Sequence, residues 1–220
     1  MSRIIDTGLE DLSVILCRLG NASFDAVSLA LRSCLKGTDS YDQIQDLSEA
    51  ISLMAEKAEN KAFELIVRFQ PVASDLRVIK SYMKISNDFA RYGRYALDMA
   101  FICRRMGSLH ECEDWISEYI WSMSEKVLDM VQISINALKN HDAKLARSIS
   151  KIEAEVDHSY FSFLDELVKK ASTTNKCTIS SVLVVRYLER IADHAIYVCE
   201  SLIYVVSGEK LSLDSNGGIN

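Results

Sequence analysis

Four carboxylates carry the clearest chemical signal in this chain. Glu189 and Asp193 stand four residues apart in the run Glu189-Arg190-Ile191-Ala192-Asp193. Glu153 and Asp157 repeat that E-x-x-x-D spacing in Glu153-Ala154-Glu155-Val156-Asp157. On a helix, residues at i and i+4 share a face, with Cβ atoms roughly 6 Å apart. Two such pairs on adjacent antiparallel helices would converge four acidic groups, which repel one another unless protons or cations intervene. An all-oxygen donor set suits hard or borderline ions such as magnesium, manganese or iron. The same spacing has a plainer reading. Acidic pairs on exposed helix faces are commonly solvated or matched locally, and Arg186 and Arg190 lie within reach of Glu189 and Asp193. Taken alone, the spacing favours that plainer reading.

Other reactive side chains form no catalytic set, and no catalytic residue is expected. Of His110, His141, His158 and His194, only His158 completes an E-x-x-H spacing, with Glu155. Di-iron carboxylate bundles need two such motifs on separate helices, and no second one exists here. There is no glycine-rich phosphate loop, no G-x-S-x-G elbow and no Cys–His pair that reads as catalytic. The six cysteines show neither a CxxC nor a zinc-ligand rhythm and fall mostly in apolar stretches. They are expected to be small buried thiols in a reducing cytoplasm. Tyr92, Tyr95, Trp115, Trp121 and Tyr187 read as bundle packing.

The elements that must position the carboxylates are helices. With one proline and eight glycines in 220 residues, turn-rich β folds are disfavoured, and 49% hydrophobic residues suffice for a sizeable core. Apolar spacing of 3 and 4 marks six helical segments. The first three cover about 6–36, bent near Gly20-Asn21, then 41–70, stopped by Pro71, then 73–106, closed by Gly107. The second three cover about 111–139, 142–171, ended by Ser172-Thr173-Thr174-Asn175, and 177–207, closed by Gly208. On the second helix Ile44, Leu47, Ile51, Met54 and Ala58 share a face; on the fifth, Leu145, Ile149, Ile152, Val156 and Phe163 do.

The third and sixth segments superpose when shifted by 99 positions: Phe89, Tyr92, Ala96, Met99, Cys103 and Met106 fall on Leu188, Ile191, Ala195, Val198, Leu202 and Val205. That shared seam, with the order of elements, points to an all-α chain of two tandem three-helix bundles related by internal duplication. The first spans 1–107 and the second 108–209, and 210–220 is expected to be a polar, disordered tail. Taking Leu188 and Ile191 as core positions turns Glu189 and Asp193 away from the core, so a metal there would lie on the bundle's outer face.

Charge and hydropathy narrow the partners. The formal charge of −6, with 31 acidic against 25 basic residues, argues against nucleic acid. The start meets charge too soon for a signal peptide, and the most apolar stretch, Val182 to Val206, is interrupted by Arg186, Glu189, Arg190, Asp193 and Glu200. No membrane insertion is therefore expected.

Two runs together resemble the PhoU family. One is Arg186-Tyr187-Leu188-Glu189-Arg190-Ile191-Ala192-Asp193-His194-Ala195, followed by Glu200 and Ser207-Gly208-Glu209. The other is Gln70-Pro71-Val72-Ala73-Ser74-Asp75-Leu76-Arg77, followed by Lys84-Ile85. The resemblance spans about Leu9 to Glu209. It implies two three-helix bundles whose E-x-x-x-D motifs hold iron, zinc or other metals on their surfaces. It also implies a cytoplasmic negative regulator of phosphate uptake and phosphate-starvation signalling, acting on the phosphate ABC transporter ATPase and a sensor histidine kinase, without a reaction of its own. A homodimer is compatible with the sequence. The alternatives are a metal-free helical scaffold or a metal-dependent enzyme on a helical bundle.

The match lapses at one informative place. Where the family's first repeat carries Glu and Asp, this chain has Ala90 and Arg94, with Glu56 and Asn60 as the second-helix counterparts; Tyr197 replaces a usual Asn. Metal is therefore expected in the second half alone, on Glu153, Asp157, Glu189 and Asp193. Arg94 is expected to act as a built-in cation paired with Asp98 or Glu56.

Overall fold

The computed structural model describes residues 3–170 and 175–213, and no strand occurs among them. The chain forms α1 (Ile4–Lys36), α2 (Tyr41–Phe69), α3 (Ala73–Met106), a single 3₁₀ turn (Leu109–Glu111), α4 (Asp114–Asn140), α5 (Ala143–Arg147), α6 (Ile149–Lys170) and α7 (Lys176–Ser207). Helices α1 to α3 make one bundle and α4 to α7 a second, two tandem bundles as the repeated seam implies. The Ser172-Thr173-Thr174 break and the tail from Asp214 lie outside the described residues. Residues 210–213, expected in that tail, follow α7 in a defined course, and the Leu213 amide donates to Glu200 Oε1 at 2.9 Å.

Local chemistry sets the helix ends. The backbone N–H of Arg3 donates to Asp6 Oδ2 at 2.7 Å, so the first turn of α1 satisfies one of its orphan donors. Gly37 and Gly208 close α1 and α7 in the left-handed conformation (φ 72° and 77°), which a residue without Cβ adopts freely. Gln70 ends α2 in the same region, directly before Pro71. Asn175 Oδ1 accepts the Thr178 amide at 2.9 Å and starts α7.

The fifth segment departs from a single helix. After α5 the Ser148 amide and hydroxyl both turn back to the Leu145 carbonyl, at 3.1 and 2.7 Å, and this local alternative interrupts the ladder before α6 resumes. Helix α1 runs unbroken through Gly20. The missing side chain there lets Phe89 and Ile135 approach, to about 3.0–3.1 Å from where a Cβ would stand.

Helix α3 lies along α7, and α1 touches α4, so the halves share one apolar core. Phe89, Tyr92, Ala96 and Met99 on α3 are buried, as are Leu188, Ile191, Ala195, Val198 and Leu202 on α7. Cys103, Met106 and Val205, at the seam's ends, are half-buried. Helix α1 is long and apolar enough to cross a membrane, with a window of mean hydropathy 1.4, 44% of which is buried within the protein. That apolar stripe packs on α2, α3 and α4.

The expectation of six buried thiols is corrected. Cys34 is bonded to Cys103, joining the last turns of α1 and α3, and Cys112 to Cys177, joining the segment after the 3₁₀ turn to the start of α7. The partners are 69 and 65 residues apart, a separation that no spacing rule reads. Cys17 and Cys199 stay free.

Gly93 marks a close approach of α2 to α3, since a Cβ there would stand 2.8 Å from Ile51 Cδ1. Gly93→Ala should therefore destabilise the fold by about 1–3 kcal/mol. Adding Ile51→Val should recover part of that loss, measured by urea unfolding.

Candidate metal site on the second bundle

Helices α6 and α7 pack along each other, and each carries one acidic pair. The register that buries Leu188, Ile191, Ala192 and Ala195 sets Glu189 and Asp193 at the margin of the helix contact. Their side chains are 14% and 28% exposed, so they sit at a half-buried rim and not on the open outer face that the seam predicts. On α6, Glu153 is 4% exposed and Asp157 half-buried. A helix face wraps gradually, so a residue beside the seam still lies partly beneath the neighbouring helix.

The carboxylates feel one another. Burial, and then Asp193, push the Glu189 carboxyl up to about 7; Asp157 adds to this, and Arg186 and Arg190 oppose it. Asp193 is also raised, first by burial, with Arg190 opposing and Asp157 adding. Arg186 Nη1 donates to Glu189 Oε1 at 2.6 Å, and Arg190 lies 3.8 Å from Asp193 Oδ2. Desolvation therefore outweighs a short ion pair at Glu189.

The donor chemistry fits a hard cation. Glu189 Oε2 is buried and has no hydrogen-bond partner among the described residues, an expensive state for a carboxylate and one that a bound cation relieves. Coordination is not preassembled, because no three His, Cys, Asp or Glu side chains among the described residues are gathered closely enough to share an ion. Of the two Glu189 oxygens, Arg186 holds Oε1 and leaves Oε2 open. The E-x-x-H pair takes no part: Glu155 pairs with Lys126 at 3.1 Å, and His158 is exposed beside Ser162.

The equivalent place in the first bundle differs in kind. Ala90 and Arg94 line a groove of about 750 Å³ between α2 and α3, together with Arg91, Asn87, Ser48 and Glu49. Glu56 and Asn60 do not line it, so the expected second-helix counterparts are one to two turns off. Nor does Arg94 form the expected ion pair with Asp98 or Glu56 among the described residues. It acts on Asp98 only at a distance, partly offsetting the rise that burial imposes.

Several polar residues that the sequence left unassigned join the architecture. His194 Nδ1 lies 2.9 Å from Asp88 Oδ1, and its Nε2 lies 3.4 Å from the Tyr95 hydroxyl, linking α7 to α3. Asp75 takes a two-pronged Arg3 guanidinium at 2.9 Å on each oxygen, tying the start of α1 to the start of α3. Arg77 lies over the Tyr204 ring near the end of α7. Only the occurrence of Asp75, Arg77 and His194 inside the two quoted runs singles them out; their partners lie far away in sequence.

Two duplicated three-helix bundles with charged rims between long helices define the class of tandem helical-bundle proteins. The PhoU domain model matches the chain twice, over residues 16–102 and 120–202, and the chain belongs to the PhoU family. It is 32% identical to a phosphate-specific transport system accessory protein PhoU homolog of Clostridium acetobutylicum, over 96% of this chain and 98% of the relative. The Pseudomonas aeruginosa homolog of the same name is 30% identical, over 94% of this chain and 87% of the relative. The crystal structure of PhoU from Pseudomonas aeruginosa superposes with a TM-score of 0.78 at 25% identity, covering 93% of this chain and 99% of that one. That of the phosphate transport system regulatory protein PhoU from Streptococcus pneumoniae has the same fold, with a TM-score of 0.85 at 23% identity over 94% and 99% of the two chains.

The raised Glu189 carboxyl has a definite sign for metal-free stability. Its ionisation is easier in the unfolded chain, so stability is fully present below about pH 4.5 and is lost as pH rises through about 7. In chelator, Glu189→Gln should flatten that decline, gaining about 1–2 kcal/mol over the parent at pH 8 and nothing at pH 4 in urea titrations.

Proposed function

We propose that this protein is a negative regulator of phosphate uptake and phosphate-starvation signalling. It works as a cytoplasmic adaptor on the phosphate ABC transporter ATPase and a sensor histidine kinase, and it holds a metal ion in the second bundle only. The observation that carries the transport role is the full-length match to relatives named as phosphate-specific transport system accessory proteins. Deleting the gene should raise phosphate accumulation or leave starvation genes on in rich phosphate. A pull-down from phosphate-replete cells should recover a transporter ATPase. Unchanged uptake and gene expression in the deletion strain would remove the regulatory assignment.

The metal assignment rests on the unpartnered Glu189 Oε2 and the raised carboxyls around it. Glu189, Asp193, Asp157 and Glu153 would hold the ion, which would supply positive charge to neutralise the rim and crosslink α6 to α7. The ion is one of iron, zinc, manganese or magnesium; carboxylate donors alone do not choose among them. A second reading, a scaffold without metal, is favoured by one observation: Arg186 and Arg190 already neutralise part of the charge.

Metal stoichiometry separates the two readings. Glu189→Ala with Asp193→Ala should abolish tight binding, and Arg94→Ala should leave the stoichiometry unchanged. Because Arg186 competes for Glu189 Oε1, Arg186→Gln should tighten metal binding by about tenfold, the worth of one charge-assisted hydrogen bond. Parent protein that takes up no metal at all, with or without Arg186, supports the scaffold reading.

A further inference from the structure

Away from the acid cluster, a cavity of about 330 Å³ opens between α3, α7 and the segment that follows Gly208. Lys80 and Lys84 stand one turn apart on its α3 wall, and Lys210 faces them from the returning segment. None of the three ammonium groups is in an ion pair among the described residues. Lys84 lies 5.4 Å from the Tyr197 ring and Lys210 lies 5.9 Å from the Tyr204 ring, aromatic contacts that orient the amines without neutralising them. The wall holds one acid, Glu200, and one of its oxygens already accepts the Leu213 amide at 2.9 Å. A concentration of positive charge in a chain of net charge −6 is a local feature that composition does not produce.

A second observation points to a ligand. Ser201, 5% exposed, lines the cavity, and its Oγ is buried without a hydrogen-bond partner among the described residues. Buried helical serines normally turn back to a preceding carbonyl, as Ser23 does to Leu19 at 2.8 Å and Ser134 to Val131 at 2.7 Å. A buried hydroxyl left unmatched costs free energy; this one is closed to solvent, and an oxyanion in the cavity would accept from it once the Ser201 side chain turns toward the opening. The buried Ser81 lies on the opposite wall, so serines and lysines line the same space.

We propose that this cavity is a binding site for a compact phosphate anion, orthophosphate or diphosphate, held by Lys80, Lys84 and Lys210 with the Ser201 hydroxyl donating. Its volume is at the low end for ligand pockets, which suits a small, multiply charged oxyanion. Helices α3 and α7 supply opposite walls, so the anion would bridge the two halves of the molecule. The site is distinct from the carboxylate rim, and the inference does not rest on metal binding or on the transport assignment.

The test is calorimetric titration of the full chain, in chelator and at constant ionic strength, with orthophosphate, diphosphate and sulfate in separate arms. Saturable binding of one of the two phosphates, stronger than sulfate, is expected, and the stronger arm identifies the occupant. Lys80→Gln with Lys84→Gln should weaken binding by at least about tenfold, and Ser201→Ala by about threefold to tenfold. Both lysines are exposed, so that variant keeps its fold, which circular dichroism checks. Arg91→Gln with Arg94→Gln, in the other groove, should leave affinity within about twofold. No saturable binding up to roughly 10 mM, a sulfate response equal to that of both phosphates, or indifference to the lysine and serine variants would each overturn the proposal.

Discussion

Helix α3 lying along α7 is the contact on which the rest of the structure depends. Each is the last helix of its repeat, and each buries an apolar seam that continues into the shared core. A three-helix unit of about 100 residues buries a modest fraction of its surface, so joining two such units along their longest helices adds dry interface where each needs it. The polar links across the contact are few and specific. Asp88 meets His194 at 2.9 Å in a nearly closed setting, and Arg77 stacks over Tyr204 where α7 ends. Such groups are costly to leave unmatched, which makes them selective for one register of the two helices.

That register decides the electrostatics at the acid rim. Burying Leu188, Ile191 and Ala195 rotates Glu189 and Asp193 to the edge of the helix contact, partly beneath α6. Water is then too scarce to solvate the carboxylates fully, and Asp157 faces them. Arg186, though only 2.6 Å from Glu189, lies toward solvent and is screened, so it does not restore an ordinary carboxyl. Burial therefore raises these carboxyls further than the neighbouring arginines lower them.

The two repeats have kept one set of constraints and let the other go. Seam positions on α3 and α7 match because close packing tolerates few shapes at each. Rim positions do not match: Ala90 and Arg94 stand where Glu189 and Asp193 stand in the second repeat, and they face an open groove with Arg91 nearby. A rim residue answers to charge and ligand, and changes without disturbing the core behind it.

Helix positions, their order and the duplication are legible in one dimension, as is the spacing that pairs the four second-half acids. Periodicity, Pro71 and the closing glycines are local signals, and local signals survive in one dimension. The sequence also shows that Ala90 and Arg94 break the acidic pattern. How deep Glu189 and Asp193 lie is not legible there, because depth depends on how the neighbouring helix overhangs the seam. The same holds for the Ser148 interruption, where a hydroxyl competes with the helix ladder, and for the pairing of Cys34 with Cys103 and Cys112 with Cys177. It holds too for the α2 residues that share a groove with Ala90 and Arg94, and for the gathering of Lys80, Lys84, Lys210 and Ser201 around one cavity. Each of these rests on side chains brought together from distant segments, and the distance between such segments is set by packing, not by spacing along the chain.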